Sequence, residues 1–226
     1  MRRLWRFLKK VILWLLILQL VYIIFCKWIN PPITLTQVGS LIHGYGLQRD
    51  YIALSDMNPE VKLAVMASED QLFPEHNGFD IKAIKKAMRF NKKHATKVRG
   101  ASTISQQVAK NVFLWQGRSM VRKGIEVYFT FMIEQIWSKK RILEMYLNVA
   151  EMGKGVFGVQ AAAKAYFNKD AKNLTRAEAA MIAAALPNPK VYIIKPLSNY
   201  VAHRYKDIMR QMDNLDGDED MEGLIK

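Results

Sequence analysis

Cysteine and negative charge are scarce in this chain where they would decide a chemistry. Of 226 residues one is cysteine, Cys26, so an internal disulfide is excluded, and no Cys/His cluster has zinc spacing. No acidic residue lies among the first ten, and none lies between Asp80 and Glu126, where twelve Lys or Arg occur from Lys82 to Lys123. With a net charge of +14, this one-sided balance calls for an anionic partner: nucleic acid, an acidic membrane surface or a phosphorylated substrate. Repeats and low-complexity tracts are absent and strand signals are few, so a mainly helical domain is expected.

What is present begins with a membrane segment. Arg2, Arg3, Arg6, Lys9 and Lys10 precede an apolar run over 11–26 that is broken only by Gln19. The run is slightly short of the roughly 20 residues a bilayer requires. Trp28 and Ile29 extend it, and Lys9, Lys10 and Lys27 can snorkel to the interfaces. No small-x-small cleavage site follows, which favours an uncleaved anchor over 11–29 rather than a signal peptide. The basic flank 1–10 then stays in the cytoplasm, everything after Pro31 lies outside it, and Cys26 faces lipid. Residues 30–44 read as a linker, 45–212 as one domain with a substantial core, and 213–226 as an acidic tail that is expected to be disordered.

Within the domain, capping signals place the helices. Asn58-Pro59 has the form of an N-cap and first helical position, opening a helix that runs into Glu69. Residues 80–91 set Ile81, Ile84 and Met88 against Lys82, Lys85, Lys86 and Arg89, a basic amphipathic pattern fit for a solvated face or a membrane surface. Thr103-x-x-Gln106 and Thr175-x-x-Glu178 are capping boxes. Ser119 and Ser138 open further helices, and 151–158, with three glycines, reads as a loop. Around the first box, Ser102, Thr103, Ser105, Gln106, Gln107, Lys110 and Asn111 crowd more hydrogen-bonding side chains than a core stretch needs. At i, i+4, Gln106 with Lys110 and Gln107 with Asn111 would present amides and an ammonium along one side.

Transfer from a phosphorylated substrate onto a hydroxyl needs a base for the attacking hydroxyl and cations for the departing anion. This chain offers both. Glu69 sits near a helix C-terminus, where the macrodipole raises a carboxyl pKa, while the surrounding Lys/Arg excess lowers it; the sequence leaves the net direction open. Glu126 stands four residues after Arg122, a spacing equally suited to a helix ion pair worth about 0.3–0.5 kcal/mol. His76 is either an acid/base or a hydrogen-bonding residue of the turn before Gly78.

Four ordered blocks carry a resemblance. They are Glu69-Asp70 with Phe73, His76 and Gly78; Gly100 with Ser102, Thr103, Ile104, Gln106, Gln107, Lys110 and Asn111; Arg122-Lys123 with Glu126; and Lys139 with Ile142, Tyr146 and Asn148. In this order and spacing, over about 45–212, the chain resembles the monofunctional peptidoglycan glycosyltransferases (glycosyltransferase family 51), which polymerise lipid II into glycan strands. A C-terminal Arg-x-x-x-Val-Leu motif is reduced here to Arg204 through Met209, which leaves the role of Arg204 open.

The resemblance implies a lysozyme-like, mainly α fold behind a single transmembrane helix. It implies Glu69 as catalytic base, Glu126 as second essential carboxylate, and Lys110 and Arg118 as diphosphate contacts. Asp70, Ser102, Gln106, Gln107, Asn111, Arg122 and Lys123 would bind substrate or brace the same cleft. It also implies lipid II, the nascent glycan and the membrane as partners, with cell-wall synthesis or division proteins alongside. The site is expected at the outer face of the inner membrane. No cofactor is obligatory, a divalent cation (Mg or Mn) is compatible, and nucleic acid is not a partner. Neither Ser-x-x-Lys nor Lys-Thr-Gly occurs, so no penicillin-binding transpeptidase unit is expected. Two other readings are a glycan-cleaving lysozyme-like enzyme, which would have no diphosphate to neutralise, and a tethered binder of acidic polymer, which would favour aromatics interspersed on the basic surface.

Overall fold

The computed structural model describes residues 1–94, 100–117 and 119–225. The first helix, α1 (Arg2–Phe25), is long and apolar enough to cross a membrane. Its C-terminal end is not a free tether. Ile23 and Cys26 are fully buried in the domain core, so the expectation that Cys26 faces lipid is corrected. Three polar contacts fix this junction. Trp137 donates its indole N–H to Ile23 O at 2.9 Å, Arg141 donates from Nε and Nη2 to Cys26 O at 3.1 and 2.9 Å, and Gln19 Nε2 bonds the Tyr128 hydroxyl at 2.5 Å. The guanidinium thereby satisfies a carbonyl that a helix C-terminus otherwise leaves orphaned.

The 30–44 stretch is more structured than a linker. Thr34 and Gln37 form a capping box and open α2 (Leu35–Ile42), a signal of the same kind as at Thr103. Then come α3 (Pro59–Glu69), capped by Asn58 with proline at its first position, and α4 (Ile81–Lys93), capped by Asp80. They are followed by α5 (Ile104–Phe113), α6 (Met120–Ile136) and α7 (Lys139–Val149). Ser138 caps α7, whereas the Ser119 side chain makes no cap bond to α6. The chain ends in α8 (Val159–Phe167), α9 (Arg176–Ala185), α10 (Asn199–Leu215) and α11 (Glu219–Ile225).

Two packed layers frame the site: α5 rests on α6 and α7, while α3 rests on α9 and α10. Tyr146, Phe73, Phe157, Ile104 and Met66 are among the largest fully buried side chains. The loop expected at 151–158 is instead a hairpin of β2 (Glu151–Gly153) and β3 (Val156–Phe157), and β1 (Gln48–Arg49) joins β3 in parallel register. Gly155 makes this possible: its φ is +74°, and a Cβ there would lie 2.1 Å from Tyr45 O. Strands of two or three residues are too short for an alternating pattern to announce them.

The acidic tail is also ordered. Met221 and Leu224 are buried, at 2 % and 8 % exposure, and the Lys62 ammonium donates to Ile225 O at 2.9 Å. Asp218 Oδ1 accepts from the N–H groups of Asp220 and Met221 and starts the helix. Its acidic composition hid an apolar pair at i, i+3. Because α11 lies on α3, it backs the helix that ends at Glu69. Deleting residues 217–226 should cost about 3 kcal/mol, the burial of roughly two apolar side chains. A lowered thermal midpoint in detergent is expected, and an unchanged midpoint would mean that α11 contributes nothing to the fold.

Candidate active site

The C-terminal end of α3, the N-terminal half of α5 and the α9–α10 side enclose a cleft of about 900 Å³. Glu69, Asp70, Ser102, Gln107 and Lys110 line it, Lys82 and Lys86 of α4 join them, and Leu186, Pro187, Arg204 and Gln211 form part of its wall. Glu69 is the last residue of α3. Gln107 Nε2 donates to Glu69 Oε2 at 2.7 Å, and the Tyr146 hydroxyl approaches Gln107 Oε1 at 3.4 Å. Tyr146 is 1 % exposed. With its oxygen turned to that phenol, the Gln107 amide presents its N–H to the carboxylate.

Burial is the dominant influence on Glu69 and raises its pKa above the ordinary glutamate value. The Gln107 hydrogen bond, Arg204 and Lys110 pull it down, and Asp70 adds to the rise. The direction left open by the sequence is therefore upward, toward the range useful to a general base. Burial depresses Lys110, Glu126 supports its charge, and the neighbouring Arg122 and Lys123 oppose it. Such an ammonium gains from an arriving anion, because the anion restores the solvation that burial removed.

Asp70 has a different task. Its Oδ2 accepts from Ile104 N–H at 2.9 Å, at the positive end of α5, and its Oδ1 meets His76 Nε2 at 2.9 Å. Both oxygens are engaged, so the side chain ties the 70–78 loop to α5. His76 is accordingly a partner inside this turn. Gln106 closes the capping box by accepting from Thr103 N–H at 3.1 Å, which turns its amide away from Lys110. Instead of the expected i, i+4 pairs, Thr103, Gln107 and Lys110 share the cleft side of α5. Asn111 accepts from Gln116, which also reaches Thr36 Oγ1 at 2.8 Å; it braces α5 against α2 and does not line the cleft.

Glu126 is 2 % exposed. Arg122 Nη1 donates to its Oε2 at 2.6 Å, and Lys123 Nζ engages Oε1. Lys123 also reaches Ser102 Oγ at 3.3 Å, and Arg122 Nε donates to Gly117 O at 2.8 Å. The pair is thus far from the surface case: removing one partner of a buried ion pair costs about 3–5 kcal/mol. Glu126 holds Arg122 and Lys123, each of its oxygens accepting from one of them. Arg118 lies outside the described residues. Beside the cleft, Ser102, Gln106 and Lys123 border a second, mostly apolar groove of about 420 Å³ with Phe79, Ile84, Met88 and Val127.

Glu134 escaped the sequence reading. Its side chain is buried, Ser105 Oγ donates to Oε1, and Lys139 Nζ donates to the same oxygen at 2.9 Å and to His76 O at 2.5 Å. Thr103 Oγ1 donates to Gly78 O at 2.7 Å. Gly78, at φ +83°, lies so close to α6 that a Cβ would stand 2.8 Å from Thr130 Cγ2 and 2.9 Å from Glu134 Cγ. Glu134 therefore pins the 70–78 loop, α5 and α7 to the helix that carries Glu126. A carboxylate in the apolar run of α6, five residues before Lys139, was the available signal.

A half-buried carboxylate and a half-buried ammonium facing one cleft, on a domain joined to a membrane-length helix, fit an enzyme that acts on a hydroxyl beside an anionic group. Residues 36–213 match the transglycosylase family model. The chain is 52% identical over 189 residues to the biosynthetic peptidoglycan transglycosylase of Shigella boydii, covering 82% of this chain and 78% of the relative. It is 54% identical over 181 residues to that of Mannheimia succiniciproducens, covering 80% and 74%. An Escherichia coli relative of the same name is 52% identical over 189 residues. The chain belongs to the transglycosylase family.

Two outcomes follow from this geometry. Glu69→Gln should raise the thermal midpoint at neutral pH. Below the ordinary glutamate pKa, Glu69 is protonated in both folded and unfolded chains; as pH climbs toward its raised folded value, only the unfolded chain ionises and stability is lost. Gln removes that loss, so the gain should be present at pH 8 and vanish near pH 4. A variant no more stable than wild type at pH 8 would contradict the raised pKa. Glu134→Gln should lower turnover at least tenfold, with Glu134→Asp recovering part of it; equal activity of all three proteins would remove Glu134 from the positioning role.

Proposed function

We propose that this enzyme polymerises lipid II into peptidoglycan glycan strands. The observation that carries the proposal is Glu69, half-buried, held by Gln107 and facing the same cleft as Lys110. Glu69 takes the proton of the 4-hydroxyl of the incoming lipid II sugar, and that oxygen attacks the anomeric carbon of the growing lipid-linked chain. The bond to the polyprenyl diphosphate breaks in the same displacement, which turns the α linkage into β. Lys110, with Arg118, meets the negative charge that develops on the leaving oxygen, while Arg122, Lys123 and Ser102 continue the cationic, hydrogen-bonding wall. Glu126 acts through the two cations it holds. The ammonium and guanidinium groups of this wall meet the diphosphate charge, and a divalent cation (Mg or Mn) is compatible with the same site.

Membrane placement supports the same reading. Lipid II is confined to a bilayer, and α1 brings the domain to that plane. The basic N-terminal flank points to an inner-membrane protein with its N-terminus in the cytoplasm and its catalytic domain on the outer face. Exposed Met120, Val121, Val127, Tyr128 and Phe131 on α6, together with Ile81 and Met88 on α4, offer apolar side chains to the interface, flanked by the lysines of α4.

Purified protein in lipid II proteoliposomes should yield lysozyme-sensitive polymer. Glu69→Gln should slow it by about 100- to 10,000-fold, and Lys110→Ala should lower turnover even at saturating lipid II. Absence of polymer from the wild-type enzyme, or near-normal polymerisation by Glu69→Gln, would contradict the proposal.

A further inference from the structure

The cleft does not end at Glu69. Glu69 and Lys110 share its wall with Arg204 and Gln211, which belong to one strip of α10. Tyr200 and Arg204 are one turn apart there, with Gln211 two turns further along. Arg204 and Gln211 line both the catalytic cleft and a shallow polar depression of about 590 Å³ that continues from it.

Two features of this strip point to a ligand. Other charges around the depression are spoken for: Arg210 pairs with Asp207, and Asp213 pairs with Arg176. Arg204 forms no ion pair among the described residues, although it lies in the wall of the cleft and a guanidinium carries five donors. Gln211 Oε1 is buried without a hydrogen-bond partner, a state that needs an explanation in a folded protein. Together they fit a ligand that brings an anionic acceptor to the guanidinium and a donor to the amide oxygen. A diphosphate has no donor to give, and a sugar hydroxyl carries no charge. A peptide amide next to a carboxylate has both.

We propose that the Arg204–Gln211 strip of α10, with exposed Tyr200 at its end, is the subsite that receives the peptide stem of the lipid II whose sugar hydroxyl meets Glu69. The proposal rests on the polymerase reading above and assigns to Arg204 a contact with substrate. The stem then anchors the sugar from the side remote from the diphosphate, so that binding energy away from the reacting atoms orients the hydroxyl.

The test compares lipid II carrying its full peptide stem with a lipid-linked disaccharide lacking the stem, using full-length enzyme in proteoliposomes. Wild-type kcat/KM should favour the stem-bearing substrate by about tenfold or more, the size of a charge-assisted hydrogen bond. Arg204→Gln and Gln211→Leu, made separately, should each collapse that ratio toward one, chiefly through a higher KM for the stem-bearing substrate. A wild-type enzyme indifferent to the stem would overturn the assignment. So would variants that lose the same factor on both substrates, since Arg204 would then act only on Glu69. No polymer from either substrate with wild-type enzyme would instead defeat the polymerase reading itself.

Discussion

Everything in the site depends on the hydrogen bond from Gln107 Nε2 to Glu69 Oε2. A carboxyl withdrawn from water ionises reluctantly, and without a donor it would stay protonated and useless as a base. With too many donors or cations it would become too weak a base. The structure sets an intermediate condition: one amide donor at 2.7 Å, with Lys110 and Arg204 acting on it through the cleft. The amide is in turn oriented by Tyr146, which is sealed in the core. Helix α7 thus reaches the chemistry through α5, and the packing of three helices becomes a constraint on one proton.

The second carboxylate solves a different problem. Glu126 sits between Arg122 and Lys123, two cations that would repel each other without it. Breaking this buried arrangement costs several kcal/mol, so loss of Glu126 is felt as a misplaced cationic wall. Glu134, two turns further along α6, does the same for the 70–78 loop through Lys139 and Ser105. The division of labour is plain in the partners: Glu69 faces the cleft with a single amide donor, Glu126 holds two cations, and Glu134 holds Lys139 and Ser105.

Much of this was legible in the sequence. Capping boxes at Thr103 and Thr175 and the Asn58-Pro59 start are local hydrogen-bond rules, and all three helices begin there. The motif spacing identified Glu69, Gln107 and Lys110, which the fold brings to one cleft. Other features were hidden because their causes are non-local. The task of Gln106 was visible in its capping box but not the consequence that it turns away from Lys110. Cys26 looked lipid-facing because hydropathy does not distinguish lipid from a protein core. The acidic composition around Met221 and Leu224 masked a helix that packs on α3, and the place of Arg204 in the cleft wall depends on how α10 packs.

The central claim is that burial, tempered by Gln107, holds Glu69 as a base of raised pKa. Its most direct measurement is the titration of that carboxyl, by carbon-13 chemical shift or by infrared difference between wild type and Glu69→Gln. The account predicts a midpoint above the ordinary glutamate value of about 4.3, moving upward again when Gln107 is replaced by leucine. A midpoint at or below that ordinary value, or one indifferent to Gln107, would contradict it.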